Sequence, residues 1–392
     1  MYKGDNTVEH LLYKNLSKQQ ISGIRKFTNM LVDYPNAINL TIGQPDFPTP
    51  NHVKESAKQA IDQNHTSYTA NAGLLELRNA ISKFYDEKYN LLYNPQDEIV
   101  VTHGASGAIT AVLRTILDEG TEVIVPAPAY PGYVPIIEIF GGVPVYVDTI
   151  STDFVLTAEL IEKHLTEKTR AVMLCSPANP VGTIIEGDEL EKIAKLLKDK
   201  EIFVISDEIY SELIFDKTHQ SIASYEGMRD KTIVVNGVSK SHSMTGWRIG
   251  FTLAPAYISK EITKVIAYFL SCESSISQYA AIEALSVGKD DPIEMREEYK
   301  ARRDFVYKRL VDMNIDVVKP QGAFYIFPSI KRTNMKSFDF CVDLLKEQGV
   351  ATVPGSAFSD FGEGYIRISF AKSMKDLEEA MNRLEKYMEK FK

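Results

Sequence analysis

The sequence from Asn236 to Gly250, NGVSKSHSMTGWRIG, places a lysine and an arginine in a stretch of small and hydroxyl side chains. A lysine held in a pocket near cationic groups has a lowered pKa, which makes its amine a nucleophile toward aldehydes. The planar guanidinium of Arg248, eight residues after Lys240, suits a phosphate better than a lysine amine would. A solvated surface charge is the ordinary interpretation of a single Lys or Arg. It fits poorly here, because both lie among Gly, Ser, Trp and Ile rather than in a run of charges.

Two loops upstream contain groups that could bind a flat, phosphorylated ligand. The segment THGASGA contains Gly104, Ser106 and Gly107, and small residues before a helix let backbone N–H groups approach an anion. Ser106 could equally be the N-cap of that helix. Tyr130 lies in PAPAYPGY and could stack on an aromatic cofactor, although a buried loop tyrosine is the better interpretation of this residue taken alone.

Two further loops offer an amide and a carboxylate. Asn179 in SPANPVG could donate to a phenolate-like oxygen, but Asn-Pro is also a common turn signal. Asp207 in SDEIY directly follows the apolar run IFVI, which predicts a carboxylate at the end of a strand. Partly removed from water, it would need a cationic or hydrogen-bonding partner, and a protonated pyridine nitrogen would be one. The alternative is a helix N-cap.

The elements that must position these loops alternate between strand and helix. Strands are predicted at residues 99–102, 122–126, 143–148, 170–175, 202–206 and 232–236, with helices at 106–117, 133–140, 157–165 and 188–199. The runs AVMLC and IFVIS are apolar throughout, which is typical of parallel strands buried on both faces. The pattern predicts an α/β fold with an open, mainly parallel sheet, whose ligands would lie beyond the carboxyl ends of the strands.

The pattern changes after residue 255. Helices are predicted at 258–270, 277–287, 292–313, 338–348 and 374–390, and strands at 316–318, 323–327 and 365–370. We therefore expect a large domain over residues 47–289 and a small α+β domain over 290–392. The segment 1–46 is expected to pack on the small domain.

Composition limits the possible functions. The 392 residues carry a net charge of −9, which argues against nucleic acid as the main partner. The three cysteines are far apart, so neither a disulfide framework nor a zinc site is expected. The N-terminus has no apolar signal region, and no apolar run reaches 18 residues. We expect a soluble cytoplasmic protein without a metal.

The runs SPANPVG, SDEIY and SKSHSMTGWRIG, in this order, closely resemble class I aminotransferases of the fold-type-I pyridoxal-phosphate enzymes. The resemblance covers essentially the whole chain, since it includes LTIGQPDFPTP, SYTANAGLLELR, GAFYIFP and YIRISFA. Within the class the chain is most similar to the bacterial PatA group, described as aromatic or N-acetyl-LL-diaminopimelate aminotransferases, the latter in lysine biosynthesis.

This resemblance implies a seven-stranded, mainly parallel sheet in the large domain. It also implies the cofactor pyridoxal 5′-phosphate, ping-pong transfer of an amino group with glutamate and 2-oxoglutarate, and a homodimer with shared active sites. The residues implied as catalytic are Lys240, which would bind the cofactor covalently and move a proton, Asp207, which would pair with the pyridine nitrogen, and Tyr210.

The remaining implied roles concern binding. Tyr210 and Asn179 would hydrogen-bond the phenolic oxygen of the cofactor, and Tyr130 would stack on its ring. The phosphate would be held by Ala105, Ser106, Ser239, Arg248 and the partner subunit's Tyr68. The substrate carboxylate would be bound by Arg367, with Gly43 and Asn179 close to it.

The sequence departs from the family pattern at three points. Gly237 stands where many relatives have a serine, so one phosphate hydrogen bond is missing or is supplied by Ser239. Val181 replaces a commoner threonine. No residue clearly takes the place of the second arginine that binds the side-chain carboxylate in the aspartate-specific branch.

Other functions stay open on the same residues. A C–S lyase or an aminocyclopropane-carboxylate synthase would use the same lysine and aspartate. A regulator with an aminotransferase-like ligand domain would need an additional DNA-binding region. A nicotinamide dehydrogenase is disfavoured, because no G-x-G-x-x-G opens the first βα unit.

Overall fold

The structure is a computed structural model that describes residues 8–17, 19 and 23–391. Its strands are β1 (Ile38–Asn39), β2 (Ile99–His103), β3 (Glu122–Ala127), β4 (Val143–Asp148), β5 (Thr169–Cys175), β6 (Phe203–Asp207), β7 (Thr232–Gly237), β8 (Ile249–Leu253), β9 (Tyr325–Ile326), β10 (Val350–Ala351), β11 (Val353–Pro354) and β12 (Ile366–Ser369). Its helices are α1 (Lys14–Ser17), α2 (Gly23–Met30), α3 (Asn51–Asp62), α4 (Leu75–Tyr89), α5 (Gly104–Ile116), α6 (Tyr133–Ile139), α7 (Ala158–His164), α8 (Gly187–Leu197), α9 (Val238–Ser241), α10 (Ala256–Phe269), α11 (Ser275–Ser286), α12 (Pro292–Asp312), α13 (Ser337–Gln348) and α14 (Met374–Met388).

Seven strands form the central sheet, in the order β2-β8-β7-β6-β5-β3-β4. The five strands from β7 to β4 pair in parallel, whereas β8 is antiparallel to both of its neighbours. The predicted α/β fold with a mainly parallel, seven-stranded sheet is confirmed.

Both faces of this sheet are buried, as the apolar runs predicted. Along β3, Val123 and Val125 pack into a core with α5, α6 and α10, while Ile124 packs on the opposite face with α7 and α8. The alternation follows from the two-residue period of a strand. Helices on both sides leave only the strand ends open, and the ends are therefore where a ligand can reach the sheet.

The C-terminal part of the chain has its own small sheets and core. Strands β11-β12-β9 form an antiparallel sheet, and β1 pairs in parallel with β10. Phe27 and Leu40, from the N-terminal segment, belong to the same core as Phe340 and Leu384 of α13 and α14. Division of the chain at residues 46 and 289 stays a prediction. No helix in the described part of the chain is long and apolar enough to span a bilayer.

Some predicted elements differ from the structure. Residues 316–318 form no strand, although Asp316 O accepts a hydrogen bond from Ser329 N at 2.8 Å. Strand β8 was not predicted, because it begins within the WRIG motif and runs antiparallel to its neighbours, which breaks the βα alternation. Helices α3 and α4 were also not assigned. The helical spacing of the buried Val53, Ala57 and Ala60 was an available signal for α3.

Close backbone contact joins β8 to the start of α5. A Cβ atom added to Gly250 would lie 2.5 Å from Ala105 N and 2.7 Å from Gly104 O. Gly104 itself has φ +67°, a conformation that L side chains rarely adopt. Glycine at both positions therefore lets Arg248, just before β8, lie beside the first turn of α5.

We expect Gly250→Ala to lower the free energy of unfolding by about 1–3 kcal/mol, because the new methyl must displace backbone rather than a flexible side chain. Urea unfolding monitored by circular dichroism measures this. Gly246→Ala is the matched control, since a Cβ there meets nothing within 4 Å. Equal stability of the two variants would contradict the packing argument.

Candidate active site

One cavity of about 370 Å³ lies at the carboxyl ends of the central strands. Among the predicted site residues, the following line it: Gly43, Ala105, Ser106, Tyr130, Asn179, Asp207, Tyr210, Ser239, Lys240, Arg248 and Arg367. Tyr68 does not line the cavity of the single chain, and it is 91% exposed on the surface. The structure therefore brings together residues that are as many as 324 positions apart, from Gly43 to Arg367.

Four structural elements deliver the polar groups. Strand β6 ends at Asp207, and β7 runs directly into the short helix α9, which carries Lys240. Helix α5 begins next to the cavity at Gly104, and Arg248 occupies a left-handed turn with φ +57° before β8. Parallel β6 and β7 end at the same edge of the sheet, so Asp207 and Lys240 enter one cavity.

Lys240 carries the basic group of the cavity. Its Nζ donates a hydrogen bond to Gly43 O at 2.5 Å. Burial lowers the pKa of Lys240 to about 8, with further lowering by the charges of Arg367 and Arg248, whereas Asp207 opposes the shift. A substantial fraction of the amine is therefore neutral near neutral pH, as a nucleophile or a general base requires.

Asp207 is a buried carboxylate held by neutral donors. Its Oδ2 accepts a hydrogen bond from Tyr133 OH at 2.5 Å, and its Oδ1 accepts one from Ile209 N at 3.2 Å. Burial raises the pKa of Asp207 to about 6, although the Tyr133 hydrogen bond lowers it. A buried carboxylate is costly without a cationic partner, so a protonated pyridine ring would complement this position.

Another part of the cavity wall is formed by Arg367, which is buried. Its Nη1 donates to Asn179 Oδ1 at 3.0 Å and its Nη2 to Thr41 O at 2.8 Å. Its Nε is buried and has no hydrogen-bond partner among the described residues. Tyr325 lies under the guanidinium, 4.3 Å from ring centroid to Cζ, and its hydroxyl lies 3.0 Å from that of Tyr210. A buried arginine with a free donor fits a carboxylate ligand.

A separate part of the cavity, at the start of α5, fits a phosphate. Ala105 and Ser106 lie in the first turn of α5, a 13-residue helix whose N-cap, His103, makes no side-chain capping bond. Arg248 is fixed beside this turn, since its Nη1 donates to Thr245 O at 3.0 Å and its Nη2 to His103 O at 3.3 Å. Free N–H groups, a helix dipole and a guanidinium together favour a multiply charged anion.

The structure also tests the alternative interpretations of Ser106 and Asp207 as helix N-caps and of Asn179 as a turn residue. His103, not Ser106, occupies the N-cap of α5. Asp207 is not a helix N-cap, because no helix begins directly after it, although its Oδ1 accepts a hydrogen bond from Ile209 N. Asn179 does lie in a turn, and both side chains line the cavity.

Sequence reasoning missed three contacts. Tyr133 was interpreted only as the start of a helix, although it closes the quoted motif PAPAYPGY. Tyr325 lies within GAFYIFP, and the carbonyl group of Thr41 leaves no signal in a side-chain pattern.

The model of the family "Aminotransferase class I and II" matches residues 35–384. The chain belongs to this family. Its sequence is 58% identical over 381 residues to a probable N-acetyl-LL-diaminopimelate aminotransferase of Bacillus subtilis, covering 97% of this chain and 96% of the relative. It is 44% identical to an aspartate aminotransferase of Pyrococcus abyssi, covering 94% and 95%. The crystal structure of an aromatic aminotransferase from Pyrococcus horikoshii superposes with a TM-score of 0.88 at 43% identity, covering 94% and 99%.

This aminotransferase uses pyridoxal phosphate and acts on amino acids and 2-oxo acids, as its family does. Three parts of the cavity fit that cofactor. The amine of Lys240 suits its aldehyde, the buried carboxylate of Asp207 suits its ring nitrogen, and the N-terminus of α5 with Arg248 suits its phosphate.

We expect Asp207→Asn to stabilise the cofactor-free aminotransferase as the pH rises. Because the folded pKa of about 6 exceeds the ordinary value of 3.8, the folded state binds more protons, and ionisation of Asp207 destabilises it above pH 4. The gain in unfolding free energy should grow from pH 5 to pH 8 and reach about 3 kcal/mol. Urea unfolding at both pH values measures it.

The cofactor-loaded enzyme is the control for this prediction. There the aspartate gains a cationic partner, so the same substitution should destabilise the protein instead. An equal gain at pH 5 and pH 8 in the cofactor-free protein would indicate a packing effect rather than the charge.

Proposed function

We propose that this aminotransferase exchanges the α-amino group of glutamate with a larger amino acid, with N-acetyl-LL-diaminopimelate as the preferred candidate and an aromatic amino acid as the second. The observation that carries the proposal is the convergence of Lys240, Asp207 and Arg367 on one cavity of about 370 Å³. The 58% identical relative supports the first candidate, and the name of the solved Pyrococcus structure supports the second.

When bound, pyridoxal phosphate would supply an electron sink for the electron pair left as the α-proton departs. Lys240 Nζ would hold the cofactor, then accept that proton and return it, which its pKa of about 8 allows near neutral pH. The negative charge of Asp207 would keep the pyridine nitrogen protonated, and Tyr133 would keep that carboxylate ionised and oriented.

The other cavity residues would bind and orient. Tyr210 and Asn179 would donate to the phenolic oxygen, and Tyr130 would stack on the ring. Ala105, Ser106, Ser239 and Arg248 would hold the phosphate, with Ser239 supplying a hydroxyl that Gly237 lacks. Arg367 would bind the substrate α-carboxylate through its free Nε and a neighbouring Nη, beside Gly43 and Asn179.

Charge in the cavity supports a substrate other than aspartate. The cations that line it in the described part of the chain are Lys240, Arg248 and Arg367, and each already has a role. A short side-chain carboxylate would therefore lie in the cavity without a cation. The longer side chain of glutamate would extend toward Gln44, a cavity-lining residue that is exposed, where water would screen its charge.

We further propose a cytoplasmic homodimer. The exposed Tyr68 supports this assembly, since the partner subunit's Tyr68 would complete the phosphate site. The C–S lyase alternative differs from this proposal in its products, which would be pyruvate and ammonia.

The test is the visible absorption of the cofactor-loaded enzyme during addition of single amino acids. We expect the band to bleach fastest with N-acetyl-LL-diaminopimelate or an aromatic amino acid, to bleach with glutamate, and to change least with aspartate. Lys240→Ala should bind pyridoxal phosphate without bleaching at a catalytic rate, while Lys264→Ala, a surface control, should behave as wild type. Bleaching with release of pyruvate would support the lyase, and absence of any band would refute the role of Lys240.

We expect Arg367→Ala to reduce kcat/KM about a hundredfold, mainly through KM, because the α-carboxylate is bound in the ground state and the transition state alike. Steady-state kinetics with varied glutamate measure this. Arg367→Lys keeps the charge but loses the planar fork, so its kcat/KM should fall between those of wild type and Arg367→Ala. An unchanged kcat/KM for the alanine variant would refute the assignment.

A further inference from the structure

The segment from Thr41 to Phe47 has no regular structure of its own, and three of its residues, Thr41, Gly43 and Gln44, line the cavity. It contains no helix or strand, so no ladder of backbone hydrogen bonds holds it. Its carbonyl groups nevertheless contact two cations of the site: Thr41 O accepts from Arg367 Nη2 at 2.8 Å, and Gly43 O from Lys240 Nζ at 2.5 Å. The position of this segment therefore affects where both cations lie.

The far end of the segment is anchored on helix α12. Arg302 Nη1 lies 2.9 and 2.8 Å from the two carboxylate oxygens of Asp46, and Tyr299 OH donates to Asp46 Oδ1 at 3.0 Å. The Phe47 ring packs edge-on against Tyr299, with centroids 5.5 Å apart, and the Arg302 guanidinium lies 5.2 Å from the Phe47 centroid. The backbone and both side chains of Asp46–Phe47 are thus held by two residues of one helix.

This anchor is rigid because its helix side is buried. Tyr299 is fully buried and Arg302 nearly so, and Arg302 Nε is also fixed by Glu298 at 3.0 Å. Charge-assisted hydrogen bonds with low exposure are the strong class of such contacts. Pro45, with its fixed φ, joins the anchor to the cavity-lining Gly43 and Gln44.

We propose that Asp46, Arg302 and Tyr299 are positioning residues that set the affinity of the site for substrate carboxylates, by fixing the segment whose Thr41 carbonyl orients Arg367. None of the three lines the cavity, so they act through that segment and not on the reacting atoms. The cofactor contacts at Asp207, Ser106 and Arg248 lie on other elements and do not depend on this anchor. The inference rests on the proposed role of Arg367.

The experiment compares Asp46→Ala, Arg302→Ala and their double variant with wild type, all loaded with cofactor. Half-saturation and limiting rate are measured for bleaching of the visible band by L-glutamate, and calorimetry gives the Kd of 3-phenylpropionate, an unreactive carboxylate. We expect half-saturation and Kd to rise roughly ten- to a hundredfold in each single variant. The limiting rate and the affinity for pyridoxal phosphate should change less than about twofold.

Two comparisons separate positioning from general destabilisation. The double variant should lose no more carboxylate affinity than the weaker-binding single variant, because either substitution alone already removes the contact between Asp46 and Arg302. Arg309 lies on the same helix as Arg302 and forms an ion pair with Glu385 of α14. Arg309→Ala breaks this pair and should leave carboxylate affinity unchanged. Asp46→Asn keeps the shape and an acceptor oxygen, so its Kd should lie between those of wild type and Asp46→Ala. If the alanine variants do not fold, the Kd of Asp46→Asn alone tests the proposal.

An unchanged Kd for 3-phenylpropionate in Asp46→Asn and Asp46→Ala, or an equal rise in Arg309→Ala, would overturn the proposal. Loss of pyridoxal-phosphate affinity in parallel with carboxylate affinity would also overturn it, because the anchor would then be merely structural. Failure of the wild-type enzyme to transfer the amino group of glutamate would instead contradict the proposed function itself.

Discussion

The carboxylate of Asp207 is the group on which the rest of the site depends. It lies at the end of a buried parallel strand, and in the described part of the chain no cation lies within ion-pair distance of it. Two neutral donors hold it, and burial still raises its pKa to about 6. The folded protein therefore carries a charge that its own side chains do not neutralise. This buried charge is costly, and a cationic ring bound at the site would remove the penalty.

The cations of the cavity are arranged to complement this carboxylate. Burial lowers the pKa of Lys240 most, Arg367 and Arg248 lower it further, and Asp207 raises it. An anion bound to either arginine would weaken that lowering, so the basicity of Lys240 depends on which anions occupy the cavity. The two arginines proposed to bind phosphate and carboxylate would thus also adjust the base. Hydrogen bonds to Thr245, His103, Asn179 and Thr41 hold the two guanidinium groups in place.

Local pattern was sufficient for the parts of the site that lie on the central sheet. Asp207 and Lys240 follow apolar strands, and the carboxyl ends of parallel strands meet at one edge, so their proximity could be predicted. Strand β8 was missed because its antiparallel direction breaks the alternation that identified the others. Tyr133 was interpreted as a helix start, which it is, but its hydroxyl faces Asp207 and its position gave no sign of that. Arg367 and Gly43 were found only through family resemblance, since no period or spacing links residues so far apart. The roles of these residues and the domain boundaries stay predictions.

The cavity is built where two hydrophobic cores meet, since Ile109 and Tyr133 belong to one core and Tyr210 and Tyr325 to the other. The groups that fit the cofactor, Asp207, Lys240 and Arg248, are carried by strands and turns of the seven-stranded sheet. The groups proposed to face a substrate carboxylate come from the other core: Arg367 lies on β12, and the Thr41–Phe47 segment is held by β1 pairing with β10 and by α12. Changes on that second side can move the substrate contacts without disturbing Asp207 or Lys240. Relatives named for aspartate and for N-acetyl-LL-diaminopimelate share 44% and 58% of their residues with this chain, which is consistent with chemistry and selectivity being carried by separate parts of the fold.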